Sequence, residues 1–181
     1  MLRPARTDDD IIRPDAIEPE PWANGLGVTR VMAARSSWRI SLAEIQGRMP
    51  FSSFLGADRV LIPLSPEGVT LEIDGELRAI PCHTGREFRG EDRVVADTGG
   101  GRVMVVNFMS RRSSGRMRWE IHRGSGLTGT GTEAVVVLGG QVCVAAERLP
   151  PGTVILSTAT SRVAGGRDGV VALLRVEPRR D

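Results

Sequence analysis

The chain has 181 residues, 40% of them hydrophobic, which is enough for one compact domain or for two small ones. All 24 Lys and Arg residues are arginine and tyrosine is absent, so mechanisms that need a lysine Schiff base, a P-loop lysine or a tyrosine acid are excluded. The formal net charge of +2 is too small to indicate a polyanionic partner. Two histidines and two cysteines predict neither a three-histidine metal site nor a disulfide framework, and we expect no metal and no cofactor.

Residues 1–21 are rich in proline and acidic side chains, follow no periodic pattern, and predict an extended lead-in. The opening residues lack the apolar segment of a secretory signal, and the longest apolar runs of the chain are too short to span a bilayer. We therefore expect a soluble, cytoplasmic protein without a membrane partner.

Short runs of β-branched and aliphatic residues follow one another from Val28 onwards, and no window of a dozen residues has a capped helical stripe. Between two such runs, Asp74-Gly75 predicts a two-residue hairpin, since both central positions of that turn need positive φ. The predicted strands are Val28–Ala34, Trp38–Ile45, Arg59–Leu64, Val69–Asp74, Leu77–Ile80, Arg93–Ala96, Arg102–Phe108, Met117–Arg123, Ala134–Leu138, Gln141–Ala146, Thr153–Ser157 and Val170–Glu177.

This succession of strand and turn occurs twice, once long and once short, and predicts an all-β protein with two related halves. Closure of the sheets into barrels would hide the many short strand edges. We expect the lead-in of residues 1–21, an N-terminal barrel of residues 22–112, and a smaller half of residues 113–181 packed against that barrel.

The stretch from Pro21 to Arg30 is a first candidate for binding, because Asn24 lies there beside two glycines and Trp22. An asparagine offers both a donor and an acceptor, and glycine lets the backbone approach a ligand closely. The alternative is a turn held by a half-buried Trp22.

A second candidate is the predicted strand Trp38–Ile45, in which Arg39, Ser41 and Ala43 would share one face. A small and polar face with one arginine could line a barrel mouth and hold a carboxylate, or it could simply face solvent. Glu44 breaks the alternation, which indicates either a strand end or a placed polar group.

Two further polar residues lie within apolar runs. Arg59 follows Asp58 directly before Val60, so it either satisfies a local charge or projects into a cavity as an anion anchor. Asn107 interrupts an apolar strand and needs hydrogen-bond partners, either in the structure itself or around a pocket.

A group of arginines follows the first half, and the Gly-rich segment 124–129 comes after it. With few aromatic residues to stack bases, a solvated linker is favoured over a nucleic-acid site, and a dinucleotide site is disfavoured because a strand-like run, rather than a helix, follows the glycines. The arginines are Arg111, Arg112, Arg116, Arg118 and Arg123.

Several of these stretches, in this order, resemble the HutD/Ves family of bicupin proteins over most of residues 20–112. The pieces that carry the resemblance are Pro21-Trp22-Ala23-Asn24-Gly25-Leu26-Gly27-Val28-Thr29-Arg30, Trp38-Arg39-Ile40-Ser41-Leu42-Ala43-Glu44-Ile45, Phe51-Ser52-Ser53-Phe54, Asp58-Arg59, Ile73-Asp74-Gly75, Phe88-Arg89-Gly90-Glu91-Asp92, Asn107-Phe108-Met109 and Arg111-Arg112.

The resemblance implies two cupin barrels in one chain, a link to histidine utilisation, no established catalytic activity, and a pocket for a small carboxylate such as formylglutamate. The leading hypothesis is therefore a metal-free cupin with a regulatory rather than a catalytic role. In this hypothesis Arg59 and Arg39 anchor the carboxylate, Glu44 orients an arginine or an amine, and neutral hydrogen bonds come from Asn24, Thr29, Ser41 and Asn107.

Two alternatives stay open. One is a metal-free hydrolase or isomerase in which Glu44 is the base and Arg59 the electrophilic partner. The other is an interaction module formed by the arginines between residues 111 and 123. The partner we expect is a small anionic metabolite, with no nucleic acid and no membrane, and the chain could pair with a second copy as a homodimer.

Overall fold

The structure is a computed structural model, and it describes residues 10–22, 27–125, 132–156 and 163–177. Regular structure in these residues consists of strands and one short 3-10 helix, Pro14–Ala16. The strands are β1 (Ile11–Ile12), β2 (Glu20–Pro21), β3 (Val28–Ala34), β4 (Trp38–Pro50), β5 (Ala57–Pro63), β6 (Val69–Ile73), β7 (Glu76–Ile80), β8 (Arg86–Arg89), β9 (Val94–Arg111), β10 (Arg116–Arg123), β11 (Ala134–Gly139), β12 (Val142–Val144), β13 (Glu147–Arg148), β14 (Val154–Leu156), β15 (Val163–Gly165) and β16 (Val170–Glu177).

The chain divides into two compact units. The larger unit comprises Ile17–Met117 with Val176–Asp181, and the smaller comprises Met1–Ala16 with Arg118–Arg175. The extended lead-in is thus shared between the units: β1 pairs with β14 in the smaller unit, and β2 pairs with β3 in the larger one.

The larger unit is organised around the pairing of β4 with β9. Its sheet has the order β2-β3-β4-β9-β5-β8, and β6 adds to β9 and carries β7 on its other side. The sequence predicted two strands where β9 runs continuously through Gly99 to Gly101. The pairing of β4 with β9 shifts register between Gln46, which pairs with Arg102, and Arg48, which pairs with Asp97.

The hairpin that joins β6 to β7 forms as predicted. Ile73 and Glu76 are register partners, and the two residues between them, Asp74 and Gly75, have φ values of 49° and 90°. Both values lie in the left-handed region that this tight turn requires.

One cluster of the core of the larger unit is formed by one face of its sheet. On β4 this face contributes Ala43 and Ile45, which are buried against Leu61 of β5 and Val105 of β9. Alternation along the strands places these residues on the same side as Ser41 and Arg39. The polar end of that face is where the candidate site lies.

The smaller unit contains a sheet of order β1-β14-β11-β16-β10 and a second sheet of order β13-β12-β15. Its core is aliphatic and includes Val135, Ile155 and Val171. The predicted all-β class is therefore confirmed, with a cupin-like fold. The prediction of closed barrels is not matched, because no sheet traced through the described strands returns to pair its two edges. None of the helical residues in these ranges forms a segment long and apolar enough to cross a membrane.

Candidate functional site

Strand register brings the polar residues of three neighbouring strands together. Met109 of β9 is the partner of Arg39 on β4 and also of Arg59 on β5, so the two arginines flank it in one row. In the next row on the same face, Asn107 of β9 is the partner of Ser41 on β4. Residues two apart on a strand share a face, so both rows project to the same side of the sheet.

These rows form one wall of a cavity of about 190 Å³ within the larger unit. Strands β2 and β3 and the segment between β4 and β5 supply the remaining walls. The lining residues are Glu20, Pro21, Trp22, Thr29, Val31, Arg39, Ser41, Ala43, Phe51, Ser52, Phe54, Arg59, Asn107 and Met109.

Arg59 is the most buried charged group of this cavity, with only 5% of its surface exposed. Its guanidinium carbon lies 5.0 Å from the ring centre of Phe51, 5.2 Å from that of Phe54 and 5.0 Å from that of Phe88. Three of the four phenylalanines of the chain therefore surround one cation. The negative faces of aromatic rings attract a cation and stabilise it where water is excluded.

The hydrogen bonds of Arg59 leave part of its guanidinium unused. Nη1 donates to the carbonyl oxygen of Ser52 at 3.3 Å, and Nη2 donates to Oδ1 of Asn107 at 3.2 Å. Nε is buried without an acceptor. A guanidinium has five N–H donors, so three of them have no acceptor in the described residues.

No carboxylate in the described part of the chain forms an ion pair with Arg59. Burial is the main reason that the pKa of Arg59 is lowered to about 10, and the nearby charge of Arg39 lowers it further. The side chain remains charged at neutral pH. The site thus holds a largely desolvated cation whose counter-ion is not supplied by the described residues.

Arg39 brings a second positive charge to the same end of the cavity. It is partly buried, and its guanidinium carbon lies 5.5 Å from the ring centre of Phe54, the ring that also contacts Arg59. Arg39 has no ion pair within the described ranges. Two guanidinium groups that approach one ring create a local positive potential, which favours an anionic ligand.

The neutral polar groups of the cavity also offer donors. Because a guanidinium only donates, the contact with Arg59 fixes Oδ1 of Asn107 as the acceptor, and its Nδ2 has no acceptor in the described residues. Nε1 of Trp22 donates to Oγ1 of Thr29 at 2.6 Å, which leaves the hydroxyl hydrogen of Thr29 available. With the hydroxyl of Ser41, these groups could bind the oxygens of an acid.

Gly90, directly after β8, holds Phe54 in place through a close backbone contact. The amide of Phe54 donates to the carbonyl oxygen of Gly90 at 2.7 Å. The amide of Gly90 donates to the carbonyl oxygen of Ala57 at 2.8 Å. A Cβ atom at Gly90 would lie 2.1 Å from the carbonyl oxygen of Phe54. Only glycine fits there, so Gly90 positions the ring that contacts both arginines.

The structure brings five of the seven predicted site residues to this cavity. Asn24 lies outside the described residues. Glu44 does not line the cavity: its Oε1 accepts a hydrogen bond from Nη1 of Arg102 at 2.9 Å. The residues brought together are Thr29, Arg39, Ser41, Arg59 and Asn107.

The prediction that Glu44 acts in the site is therefore corrected. Glu44 is the neighbour of Ala43 on β4, and adjacent residues of a strand point to opposite faces. Glu44 therefore projects to the face opposite to the one shared by Arg39, Ser41 and Ala43. The alternative enzyme mechanism needs Glu44 beside Arg59, and the strand geometry separates them.

Sequence reasoning missed several residues that line the cavity or contact Arg59. Glu20 belonged to the stretch interpreted as an unpatterned lead-in, yet it lies on β2 and lines the cavity. Phe88 was quoted only as part of the family resemblance, and its place beside Arg59 depends on the pairing of β8 with β5. The period-two pattern could have identified Met109, because Asn107 was already a candidate and lies two residues before it.

Asp58 has a structural partner other than Arg59. Nη1 of Arg112 donates to Oδ1 of Asp58 at 2.9 Å, and Nη2 of Arg112 donates to Oε1 of Glu91. Hydrogen bonds from Arg112 and from the amide of Gly56 lower the pKa of Glu91 to about 2. The pKa of Arg112 is raised most by its hydrogen bond to Glu91 and next by its hydrogen bond to Asp58. Arg112, one of the predicted group of arginines, therefore has a structural role: it connects β5 with the segment that follows β8.

The described residues contain no group of three or more His, Cys, Asp or Glu side chains placed to hold a metal ion.

Two curated relatives share sequence with this chain. One is an uncharacterised 21.2 kDa protein from the region 3′ of hutC in Pseudomonas putida, 30% identical over 109 residues that cover 55% of this chain and 57% of the relative. The other is protein Ves of Citrobacter koseri, 35% identical over 99 residues that cover 50% of this chain and 52% of the relative. The chain thus spans about half the length of each relative in these alignments.

Solved structures show the same fold at low sequence identity. HutD from Pseudomonas fluorescens SBW25 has a TM-score of 0.76 and 23% identity, covering 92% of this chain and 98% of that one. A cupin 2 conserved barrel domain protein from Leptotrichia buccalis has a TM-score of 0.57 and 12% identity, covering 97% and 98%. The family model described as HutD matches residues 15–170. The chain therefore belongs to the HutD family.

Proposed function

We propose that this protein binds a small carboxylate metabolite in the cavity around Arg59, without a metal, and that it has a regulatory rather than a catalytic role. The observation that carries the proposal is the state of Arg59, which is 5% exposed and has no carboxylate partner among the described residues. A desolvated cation without a counter-ion is costly, and an anionic ligand would offset that cost.

The donors around Arg59 support an acid as the ligand. A carboxylate accepts hydrogen bonds only, and the cavity offers donors from Arg39, Ser41, Thr29 and Asn107. Guanidinium groups bind carboxylates through paired N–H donors, which adds geometric specificity to the charge. A neutral apolar ligand would leave these donors without acceptors.

The size of the cavity supports a small ligand. Its volume is about 190 Å³, which is below the roughly 300 Å³ at which drug-sized sites begin. Formylglutamate or a related intermediate of histidine breakdown is the ligand class that we propose, in keeping with the histidine-utilisation link of the family. The proposal includes a cupin-type fold in each of the two units and a cytoplasmic location.

Calorimetric titration of the full chain with formylglutamate, urocanate and acetate tests this function. We expect at least one acid to bind to the wild type, and we expect Arg59→Met to weaken its affinity by about 10- to 100-fold. Arg86→Met is the matched control, because Arg86 is exposed and lies outside the cavity. Circular dichroism checks that each variant is folded.

Because Arg59 is buried, its loss could unfold the protein, so Arg39→Met provides a second variant. Arg39 is only partly buried, and we expect its replacement to weaken binding without loss of the fold. Absence of binding heat with all three acids in the folded wild type would overturn the proposed function. Equal affinities of Arg39→Met and Arg86→Met would show that Arg39 does not bind the acid, and equal affinities of folded Arg59→Met and Arg86→Met would show that the acid does not bind in the cavity.

A further inference from the structure

Glu20 places a negative charge in the same cavity. It lies on β2 as the register partner of Thr29, and Thr29 is in turn the partner of Ala43 on β4. Directly opposed residues of an antiparallel pair project to the same face. Glu20 and Thr29 therefore face the cavity together, and both line it.

The two arginines lie at the other end. Ala43 lies in the same row as Thr29 and Glu20, and Arg39 comes four residues before it on β4. The row of Glu20 and the row of Arg39 are therefore about 13 Å apart along the extended strand. Arg39 and Arg59 both approach the ring of Phe54, at 5.5 Å and 5.2 Å. The cavity thus has a positive end beside Phe54 and a negative end at Glu20.

Neither end neutralises the other. Glu20 is exposed, lines the cavity, and has no ion pair or hydrogen bond from its side chain within the described ranges. Arg39 and Arg59 likewise have no carboxylate partner there. A ligand that satisfies both ends must itself carry opposite charges at its two ends.

We propose that the site selects dipolar acids, which carry a carboxylate at one end and an ammonium or another cationic N–H group at the other. This inference rests on the proposed function, since the carboxylate occupies the positive end near Arg59. Glu20 is the specificity-determining residue: it attracts the cationic end and repels the second carboxylate of a dicarboxylic acid. The ligand class is therefore narrower than in the proposed function. Formylglutamate, which has two carboxylates and no cationic group, is disfavoured within that class, and a related acid with a cationic N–H group at its other end is favoured.

Three acids with the same five-carbon chain differ only in the charge at the end opposite to the carboxylate, so their affinities measure the effect of Glu20. Pentanoate has an uncharged end, 5-aminopentanoate a positive one, and pentanedioate a negative one. Because Glu20 is exposed, we expect 5-aminopentanoate to bind to the wild type about two- to fivefold more tightly than pentanoate. We expect pentanedioate to bind more weakly than pentanoate.

Glu20→Gln should bring the affinity for 5-aminopentanoate to that for pentanoate and should strengthen pentanedioate binding. Glu18→Gln is the matched control, because Glu18 is also exposed but does not line the cavity, and it should keep the wild-type order. If pentanedioate binds to the wild type most tightly, or if Glu20→Gln keeps the wild-type order, the inference is wrong while carboxylate binding stands. If none of the three acids binds to the folded wild type, the carboxylate function fails with it.

Discussion

Arg59 and Asn107 are joined by a hydrogen bond of 3.2 Å from Nη2 to Oδ1, between the adjacent strands β5 and β9. Both residues are 5% exposed, and no carboxylate takes part in the contact. A neutral amide holds the guanidinium in position without cancelling its charge. The cation is thus oriented by the protein, and its charge stays available for a ligand.

Replacing the amide of Asn107 by a carboxylate should give Arg59 a counter-ion within the protein. We expect Asn107→Asp to pair with Arg59, to keep the stability of the protein in thermal unfolding, and to weaken carboxylate binding by about 10- to 100-fold. Asn107→Ala is the comparison variant. It should lower the free energy of unfolding by about 1 to 3 kcal/mol, because Nη2 loses its acceptor, yet it should still bind the acid. Full carboxylate affinity in Asn107→Asp would contradict this role of the amide.

Gly90 should be intolerant of any side chain. We expect Gly90→Ala to lower the free energy of unfolding by about 1 to 3 kcal/mol, because its Cβ would lie 2.1 Å from the carbonyl oxygen of Phe54. Relief of this clash would displace Phe54, whose ring contacts both arginines, so acid binding in calorimetry should also weaken. Gly101→Ala is the control, since the nearest atom to its Cβ would be the carbonyl oxygen of Thr98 at 3.9 Å. Equal stability of the two variants would show that the Phe54 segment can yield.

The aromatic surroundings of Arg59 should be measurable as an energetic coupling. Phe88 is 6% exposed and its ring centre lies 5.0 Å from the guanidinium carbon. In urea denaturation we expect Phe88→Leu and Arg59→Met to couple by about 0.5 to 2 kcal/mol in a double-mutant cycle. Strictly additive effects of the two substitutions would mean that the ring contributes packing alone.

Acid pH should weaken the contacts of Glu91. Hydrogen bonds from Arg112 and from the amide of Gly56 lower the pKa of this carboxyl from 4.5 to about 2 in the folded protein. A carboxyl with a lowered folded pKa stabilises the protein above its unfolded pKa, and that stabilisation is lost as the pH falls. The difference in unfolding free energy between wild type and Glu91→Gln should therefore be largest above pH 4.5 and should shrink towards pH 2.

Denaturant titrations at several pH values measure this difference. Glu67→Gln is the control, because Glu67 is exposed and its side chain has no ion pair in the described part of the chain. A constant difference between wild type and Glu91→Gln from neutral to acid pH would exclude the assigned contacts.

Local sequence patterns predicted the strands that carry their own signal. Val28–Ala34 and Val170–Glu177 have the predicted bounds, and the positive φ values of Asp74 and Gly75 match the hairpin. Strand β8 was missed because Phe88 is its only apolar residue, so no alternating pattern marks it.

Prediction of the site was limited by pairing between distant segments. The period of two on β4 placed Arg39 and Ser41 on one face correctly, and they line the cavity. That Arg59 lies in the same row follows only from the register of β5 with β9, which no local pattern contains. Glu20 gave no signal, because its strand is two residues long. The homodimer stays a prediction.

A crystal structure of the protein in complex with the acid that binds most tightly in calorimetry tests carboxylate binding by Arg59 most directly. We expect a carboxylate oxygen within hydrogen-bond distance of Nη1 or Nη2 of Arg59, with Arg39 and Asn107 close to the same group. A bound acid that lies outside the cavity, or that turns its carboxylate away from Arg59, would contradict the proposed function.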